Sequence, residues 1–340
     1  MTQNEKLKFG IYLPTFSKVF EARELYEYNL KVTKLVEEVG MDSIWAVDHL
    51  HAFDTVEKVE KSLNILESTT TLSALAAQTK RIYIGTSVLS APFRNPALLA
   101  KIAATIDIIS NGRLILGIGA GWRKDEFEGY GFKWEDTATR LRRTAEAIEV
   151  IKKFWTLPVV DHKGEFYSMK GGQLWPKPIQ KPRPKIWFGG VGYKAIELAK
   201  YSDGWLAPPL NPEDLKERLE KFKEWGINLE SFDVGYELFT SISLSREEAY
   251  DQGKSVLEKW FGDPIDRIVT YNTEVQLPHG MKVRYGAIVG NVEDCIEGVT
   301  KFVKAGVRHF VLHFMPLENT HEGIKMYSEK VIPIVKEQVS

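Results

Sequence analysis

Residues 81–127, RIYIGTSVLSAPFRNPALLAKIAATIDIISNGRLILGIGAGWRKDEF, read as strand, helix, strand. Ile82–Thr86 is β-rich, Pro96–Ile109 is an apolar helix with proline in its first turn, and Asn111-Gly112 turns the chain into a second strand, Leu114–Ile118. Both strands run into loops of small residues, and the second loop carries Gly117, Gly119 and Gly121. In βα architectures ligands bind at the C-terminal ends of strands. Glycine there lets a flat ligand or a phosphate approach the backbone. The stretch therefore predicts a cofactor site at a barrel mouth.

The same alternation continues in both directions. Phe9–Leu13, Ser43–Val47, Ile186–Phe188, Gly204–Leu206, Val234–Ile242 and His309–Phe314 complete eight strands. Helical patterns at Arg23–Val39, Thr70–Thr79, Thr137–Trp155, Ala195–Lys200, Pro212–Trp225, Arg246–Trp260 and Val292–Ala305 lie between them. This is an α/β chain with the (β/α)8 TIM-barrel arrangement; an open doubly wound sheet is the alternative. A single domain over 1–340 is expected, with insertions at about 158–184 and 261–289, both marked by proline and glycine. Insertions on barrels shape the substrate mouth.

Composition narrows the function. Forty-five basic residues against 46 acidic ones leave a net charge of -1, with no pull toward nucleic acid or anionic membrane. The polar N-terminus and the lack of a long apolar run lead to a cytoplasmic expectation. The single cysteine, Cys295, lies among Glu293, Asp294 and Glu297 and reads as a helix packing residue, not a nucleophile.

Several residues could carry chemistry. Asp48-His49 follows the second strand directly, where an imidazole beside a carboxylate can move a proton near neutral pH. A capping aspartate next to a packed imidazole is the structural alternative. His49 and His51 form an HxH pair, which raises a metal-dependent hydrolase as a rival, but the intermediate strands bring no further histidine ligands. Gly117, Gly119 and Gly121 miss the spacing of the dinucleotide fingerprint. Gly189-Gly190-Val191-Gly192 precedes a helix; its free N–H groups suit a phosphate, and a plain tight turn is the equal alternative. Arg94 and Asn95 read either as phosphate contacts or as caps of the next helix, with capping the stronger reading for Asn95.

The strings FGIYLP, DSIWAVDHL, IYIGTSVLSAPFRNP, NGRLILGIGAGWRKDEF and IWFGGVGYKAIELAKYSDGW, in order from residue 9 to about 206, resemble the bacterial luciferase-like superfamily. The tail EDCIEGVTKFVKAGVRHFVLHF resumes the likeness. The resemblance implies a barrel oxidoreductase using coenzyme F420 or FMN, with His49 as the catalytic histidine. It implies cofactor contacts at Asp48, Ser87, Val88, Ser90, Ala120 and Gly121, with a cis peptide at Ser87-Val88. Gly189, Gly190, Gly192 and Tyr193 match the phosphate-binding turn.

Two departures are informative. Trp122 stands where sugar-phosphate dehydrogenases of the superfamily carry a catalytic glutamate, so the acid that would replace it is open between Asp125 and Glu126. Ala120 stands where luciferase-type FMN enzymes often carry an arginine, which favours F420. The reading is hydride transfer between F420 and a small organic substrate. The alternatives are an FMN-dependent monooxygenase using O2, a non-redox metal or phosphosugar barrel enzyme, and a non-enzymatic binding barrel. Tyr12, Phe16, Trp45, Trp122 and the second insertion are expected to wall the substrate pocket. A homodimer, a small-molecule substrate, no metal, no nucleic acid and no membrane partner complete the expectation.

Overall fold

The computed structural model describes residues 7–17, 20–53, 62–277 and 281–339. Eight parallel strands form the central sheet: β1 (Lys8–Tyr12), β2 (Ser43–Ala46), β3 (Tyr83–Thr86), β4 (Leu114–Gly119), β5 (Lys185–Gly189), β6 (Gly204–Ala207), β7 (Asp233–Ile242) and β8 (His309–Phe314). Each pairs with the next in chain order, and β8 pairs with β1, so the sheet closes into a (β/α)8 barrel. The parallel register runs, for example, Ile84↔Leu114 between β3 and β4 and Phe188↔Ile118 between β5 and β4. Strands such as LILGIG are buried at every position, as a sheet covered on both faces requires.

The helices begin where the sequence supplies caps. Helix α1 spans Ala22–Glu38 and α2 Ser68–Ala76, whose Glu67 carboxylate accepts from the Thr70 N–H. Helix α3 spans Pro96–Ile109, with the Asn95 side chain accepting from the N–H groups of Ala97 and Leu98. Capping is therefore what Asn95 does. Helix α4 (Thr137–Thr156) starts on Asp136, α5 is the short Tyr193–Ile196, α6 (Pro212–Glu224) starts on Asn211, and α7 (Val292–Ala305) opens with a capping box on Asn291. The helix Arg246–Phe261 comes between β7 and α7.

The described residues fall into two compact units: those within 1–13, 31–44 and 206–340 form one, and those within 14–30 and 45–205 the other. In the first, Phe9, Phe310, Tyr236 and Phe302 pack as a run of rings. In the second, Trp45 stacks on Trp187 at 5.1 Å, and α3 and α4 cover strand β4.

The first insertion folds as a hairpin, Val160–Lys163 with Ser168–Gly172, followed by cis prolines at 176 and 182. The second contains the helix Ile265–Val269, the hairpin Thr273–Gln276 with Lys282–Tyr285, and the strand Ala287–Gly290, which lies parallel to β7. Pro278 and Gly280, two of the residues that mark that insertion in the sequence, lie outside the described residues. Cys295 is buried in α7, and burial pushes its thiol up to about 12.

Candidate active site

The residues singled out in the second unit converge at the C-terminal ends of β2, β3, β4 and β5. His49 lies three residues past β2. Its Nδ1 is 2.9 and 3.0 Å from the two carboxylate oxygens of Glu126, which sits on the short helix Lys124–Gly129 after β4. Glu126 is 3% exposed and also accepts the Leu50 N–H at 3.0 Å. Burial alone would raise its carboxyl. The hydrogen bond and charge of His49, the positive charge of Arg123 and the Leu50 N–H outweigh that and hold it below the usual range. An ionised carboxylate only accepts, so His49 Nδ1 carries the hydrogen toward Glu126, and Nε2 is the ring nitrogen left to exchange a proton. Nε2 makes no protein hydrogen bond among the described residues.

The partner of the imidazole is thus Glu126 and not the adjacent Asp48. Asp48 is 6% exposed, and both its oxygens are engaged: Oδ1 by Arg94 at 2.7 Å, Oδ2 by Arg94 at 2.6 Å and by the Ser90 N–H at 2.9 Å. Arg94 continues to Glu67 at 2.8 Å. The aspartate therefore ties down the segment after β3, and Arg94 spends its charge on two carboxylates instead of a phosphate. His51 turns away from His49 to Asp125 at 3.1 Å and stacks on Tyr130. Among the described residues no group of three His, Cys, Asp or Glu side chains is placed to hold a metal ion.

The segment after β3 explains the glycines of β4 and β5. The Ser87-Val88 peptide is cis, and the Ser87 N–H bonds the Ala46 carbonyl at 2.8 Å. Val88 packs where side chains on neighbouring strands would stand. A Cβ on Gly119 would lie 2.9 Å from Val88 Cγ2, one on Gly189 2.6 Å from the same methyl, and one on Gly117 1.9 Å from the Thr86 carbonyl oxygen. Gly117 and Gly119 thus admit protein atoms, a correction to reading them as space left for a ligand. Gly121 has φ +69, and a Cβ there would lie 2.6 Å from Ser90 Oγ and 2.7 Å from the Phe127 ring.

Ser90 is 5% exposed, and its Oγ has no hydrogen-bond partner. A buried hydroxyl left unmatched costs about 1–3 kcal/mol, and it fits a site completed by a bound polar group. Ala120 is half-buried beside it. Trp122 is 73% exposed and stands edge-on to the His49 ring at 5.8 Å. After β5, Gly190 has φ +143 and its carbonyl accepts from Trp205 Nε1 at 2.8 Å; Gly192 caps α5, and Tyr193 is exposed.

Other sequence-named residues stand apart from this group. Trp45 is fully buried on Trp187 and Gly85, so it fills core volume and offers no surface to a substrate. Tyr12 belongs to the other unit, stacked on His313 at 3.7 Å. The side chain of Phe16 lies outside the described residues. The sequence points to Asp48 as the carboxylate beside the imidazole and leaves the acid replacing the family glutamate open between Asp125 and Glu126; it is Glu126 that meets His49. Both acids lie in the first turn of the helix Lys124–Gly129, so their spacing from Gly121 does not separate them.

A closed barrel with a tautomer-locked imidazole and an unmatched hydroxyl at its strand ends is the frame of a cofactor-using barrel enzyme. The family model for luciferase-like monooxygenases matches residues 7–309, and the chain belongs to that family of oxidoreductases. It is 27% identical to an F420-dependent glucose-6-phosphate dehydrogenase of Microbacterium testaceum, over 98% of each chain. It is 25% identical to an FMNH(2)-dependent dimethylsulfone monooxygenase of Pseudomonas putida, over 98% of this chain and 96% of that one. Among solved structures, an F420-dependent secondary alcohol dehydrogenase in complex with an F420-acetone adduct superposes with a TM-score of 0.77 at 23% identity, covering 97% of this chain and 99% of that chain.

Proposed function

We propose that this enzyme binds coenzyme F420 and transfers a hydride between it and a small uncharged organic substrate, with His49 Nε2 moving the coupled proton. The observation that carries the reading is the His49–Glu126 pair, which leaves Nε2 unpartnered with the exposed Trp122 edge-on to the ring; the unmatched Ser90 hydroxyl after β3 adds to it. When bound, the cofactor supplies the hydride chemistry through its ring, and the protein supplies orientation and electrostatics. Ser87, Val88, Ser90, Ala120 and Gly121 would back the ring, with the Ser90 hydroxyl gaining its missing partner. Gly189, Gly190, Gly192 and Tyr193 would take the phosphate end. Asp48 serves by fixing the Ser90 backbone through its bonds with that N–H and with Arg94.

His49 Nε2 would take the proton of a substrate hydroxyl, and return it in the reverse direction, while the bound cofactor would serve as the hydride acceptor or donor. Glu126 stabilises the imidazolium formed and prevents the ring from turning to the wrong tautomer. Trp122 would wall the substrate with an apolar indole, which argues against a sugar phosphate. F420 is preferred over FMN because named relatives use it and because position 120 carries no arginine. An FMN-dependent monooxygenase is the second reading, supported by the relative from Pseudomonas putida. A cytoplasmic homodimer belongs to the proposal on the family likeness alone; no helix among the described residues is long and apolar enough to cross a membrane.

Fluorescence titration of the purified protein with F420 and with FMN tests the cofactor, and His49→Ala tests the proton carrier. The expected result is tighter binding of F420, with binding retained and turnover lost in the mutant. Preferential FMN binding with substrate-dependent O2 uptake would replace the first reading by the second.

A further inference from the structure

Tyr12, His313 and Phe239 form one row across three neighbouring strands of the first unit. Phe239 and His313 are register partners between β7 and β8, and Ile11 pairs with Leu312, which sets Tyr12 level with His313. The His313 ring is sandwiched, 3.7 Å from the Tyr12 ring and 4.3 Å from that of Phe239. The row lies at the C-terminal end of these strands, the end at which barrels place ligands.

His313 is 5% exposed, and its Nε2 is buried with no hydrogen-bond partner. The contrast on the same strand is informative. His309, four residues earlier and on the same face by strand alternation, has its Nε2 2.6 Å from the Ser43 hydroxyl. One buried imidazole on β8 is satisfied by protein, and the one at the ligand end is not. Buried ring nitrogens are normally partnered, so an exception asks for a reason.

The chemistry around the row limits what that reason is. Burial drives the His313 ring down to about 3, so it is uncharged in neutral buffer. Burial, and then the charge of Glu237, raise the Tyr12 phenol well above its ordinary value, so it keeps its hydrogen. Glu237 lies two residues before Phe239 on the same face of β7. The row therefore combines an O–H donor and a neutral ring nitrogen, with a carboxylate near enough to repel an anion.

We propose that His313 Nε2 is a hydrogen-bonding contact for an uncharged alcohol or carbonyl compound bound against the Tyr12–His313–Phe239 row. In one tautomer the nitrogen accepts from an alcohol O–H; in the other it donates to a carbonyl oxygen. The flanking rings supply apolar area for the carbon skeleton. This contact goes beyond the F420 reading, uses none of the residues given there to cofactor or proton transfer, shares only Tyr12 with the substrate wall expected from the sequence, and is tested without cofactor.

The full chain, labelled with 15N-histidine, is titrated with cyclohexanol, cyclohexanone and cyclohexanecarboxylate, and the His313 Nε2 resonance is assigned by its loss in His313→Gln. The alcohol and the ketone are expected to move that resonance and the carboxylate to leave it in place. His313→Phe, which keeps a ring but no nitrogen, is expected to weaken cyclohexanol binding about tenfold by calorimetry, and His313→Gln by threefold or less. The proposal is overturned if neither neutral compound moves the resonance, if the carboxylate moves it as far, or if His313→Phe binds cyclohexanol as tightly as the parent. Should His313→Phe not fold, the resonance and the glutamine variant decide the question alone.

Discussion

Replacing Glu126 by glutamine isolates the charge that backs His49. The amide keeps nearly the same shape and can still accept the His49 Nδ1–H and the Leu50 N–H, so packing is little disturbed. What is lost is the negative charge facing the ring when Nε2 takes a proton. Hydrogen bonds to charged groups are worth about 1.5–3 kcal/mol and neutral ones about 0.5–1.5, so the difference is about 1–2 kcal/mol. Glu126 is only 3% exposed, so salt screens little of it. At about 1.4 kcal/mol per factor of ten, the proton-coupled step slows by roughly 5- to 30-fold. The assay is single-turnover bleaching of F420 by a panel of secondary alcohols, with cofactor affinity measured separately by fluorescence. Unchanged affinity with a reduced rate is expected. A Glu126→Gln enzyme turning over within twofold of the parent, while His49→Ala is inactive, would show that the carboxylate does not support the proton carrier.

Three further outcomes follow from the same geometry. Gly119→Ala places a methyl 2.9 Å from Val88 Cγ2 and should cost about 1–3 kcal/mol in urea unfolding, part of which Val88→Ala restores; strictly additive effects would refute the packing account. Arg94→Gln strands the Asp48 carboxylate, whose side chain is 1% exposed, and should lower stability by about 3–5 kcal/mol, with Asp48→Asn recovering at least half of the loss in thermal denaturation. Glu67 is held at about 2, where its ordinary value is 4.5: burial works to raise it, but bonds from Thr70 and Arg94 outweigh that. A depressed carboxyl stabilises the fold above its unfolded value, so this contribution is present above about 4.5 and lost as pH falls toward about 2. Glu67→Gln should flatten the acid limb of the stability profile in that window, and an unchanged limb would remove Glu67 from it.

The barrel was legible because most strands are short, mainly apolar runs that give way to proline, glycine or polar residues. Pro96–Ile109, Val292–Ala305 and His309–Phe314 match their predicted bounds residue for residue. The two-residue strands Phe16–Ser17 and Ala52–Phe53 were not legible, since two residues carry no periodicity. Nor was the helical run after Phe314, where Pro333 interrupts the pattern. At the site, the position of His49 after a strand was readable, but its pairing with Glu126 joins residues 77 apart and depends on how two loops fold. Trp45 misled because an aromatic near a strand end looks the same in sequence whether its ring faces the mouth or fills the layer beneath it. The glycines misled in the opposite sense: the sequence marks close approach but not what approaches.

Val88 against Gly119 and Gly189 works as a lock whose parts are inherited separately, since the three residues come from three different βα units. A mutant library that varies position 119 or 189 alone should return glycine almost exclusively, whatever the selection pressure. Remodelling this wall for a bulkier or smaller ligand would have to vary all three codons together, starting from a reduced side chain at position 88.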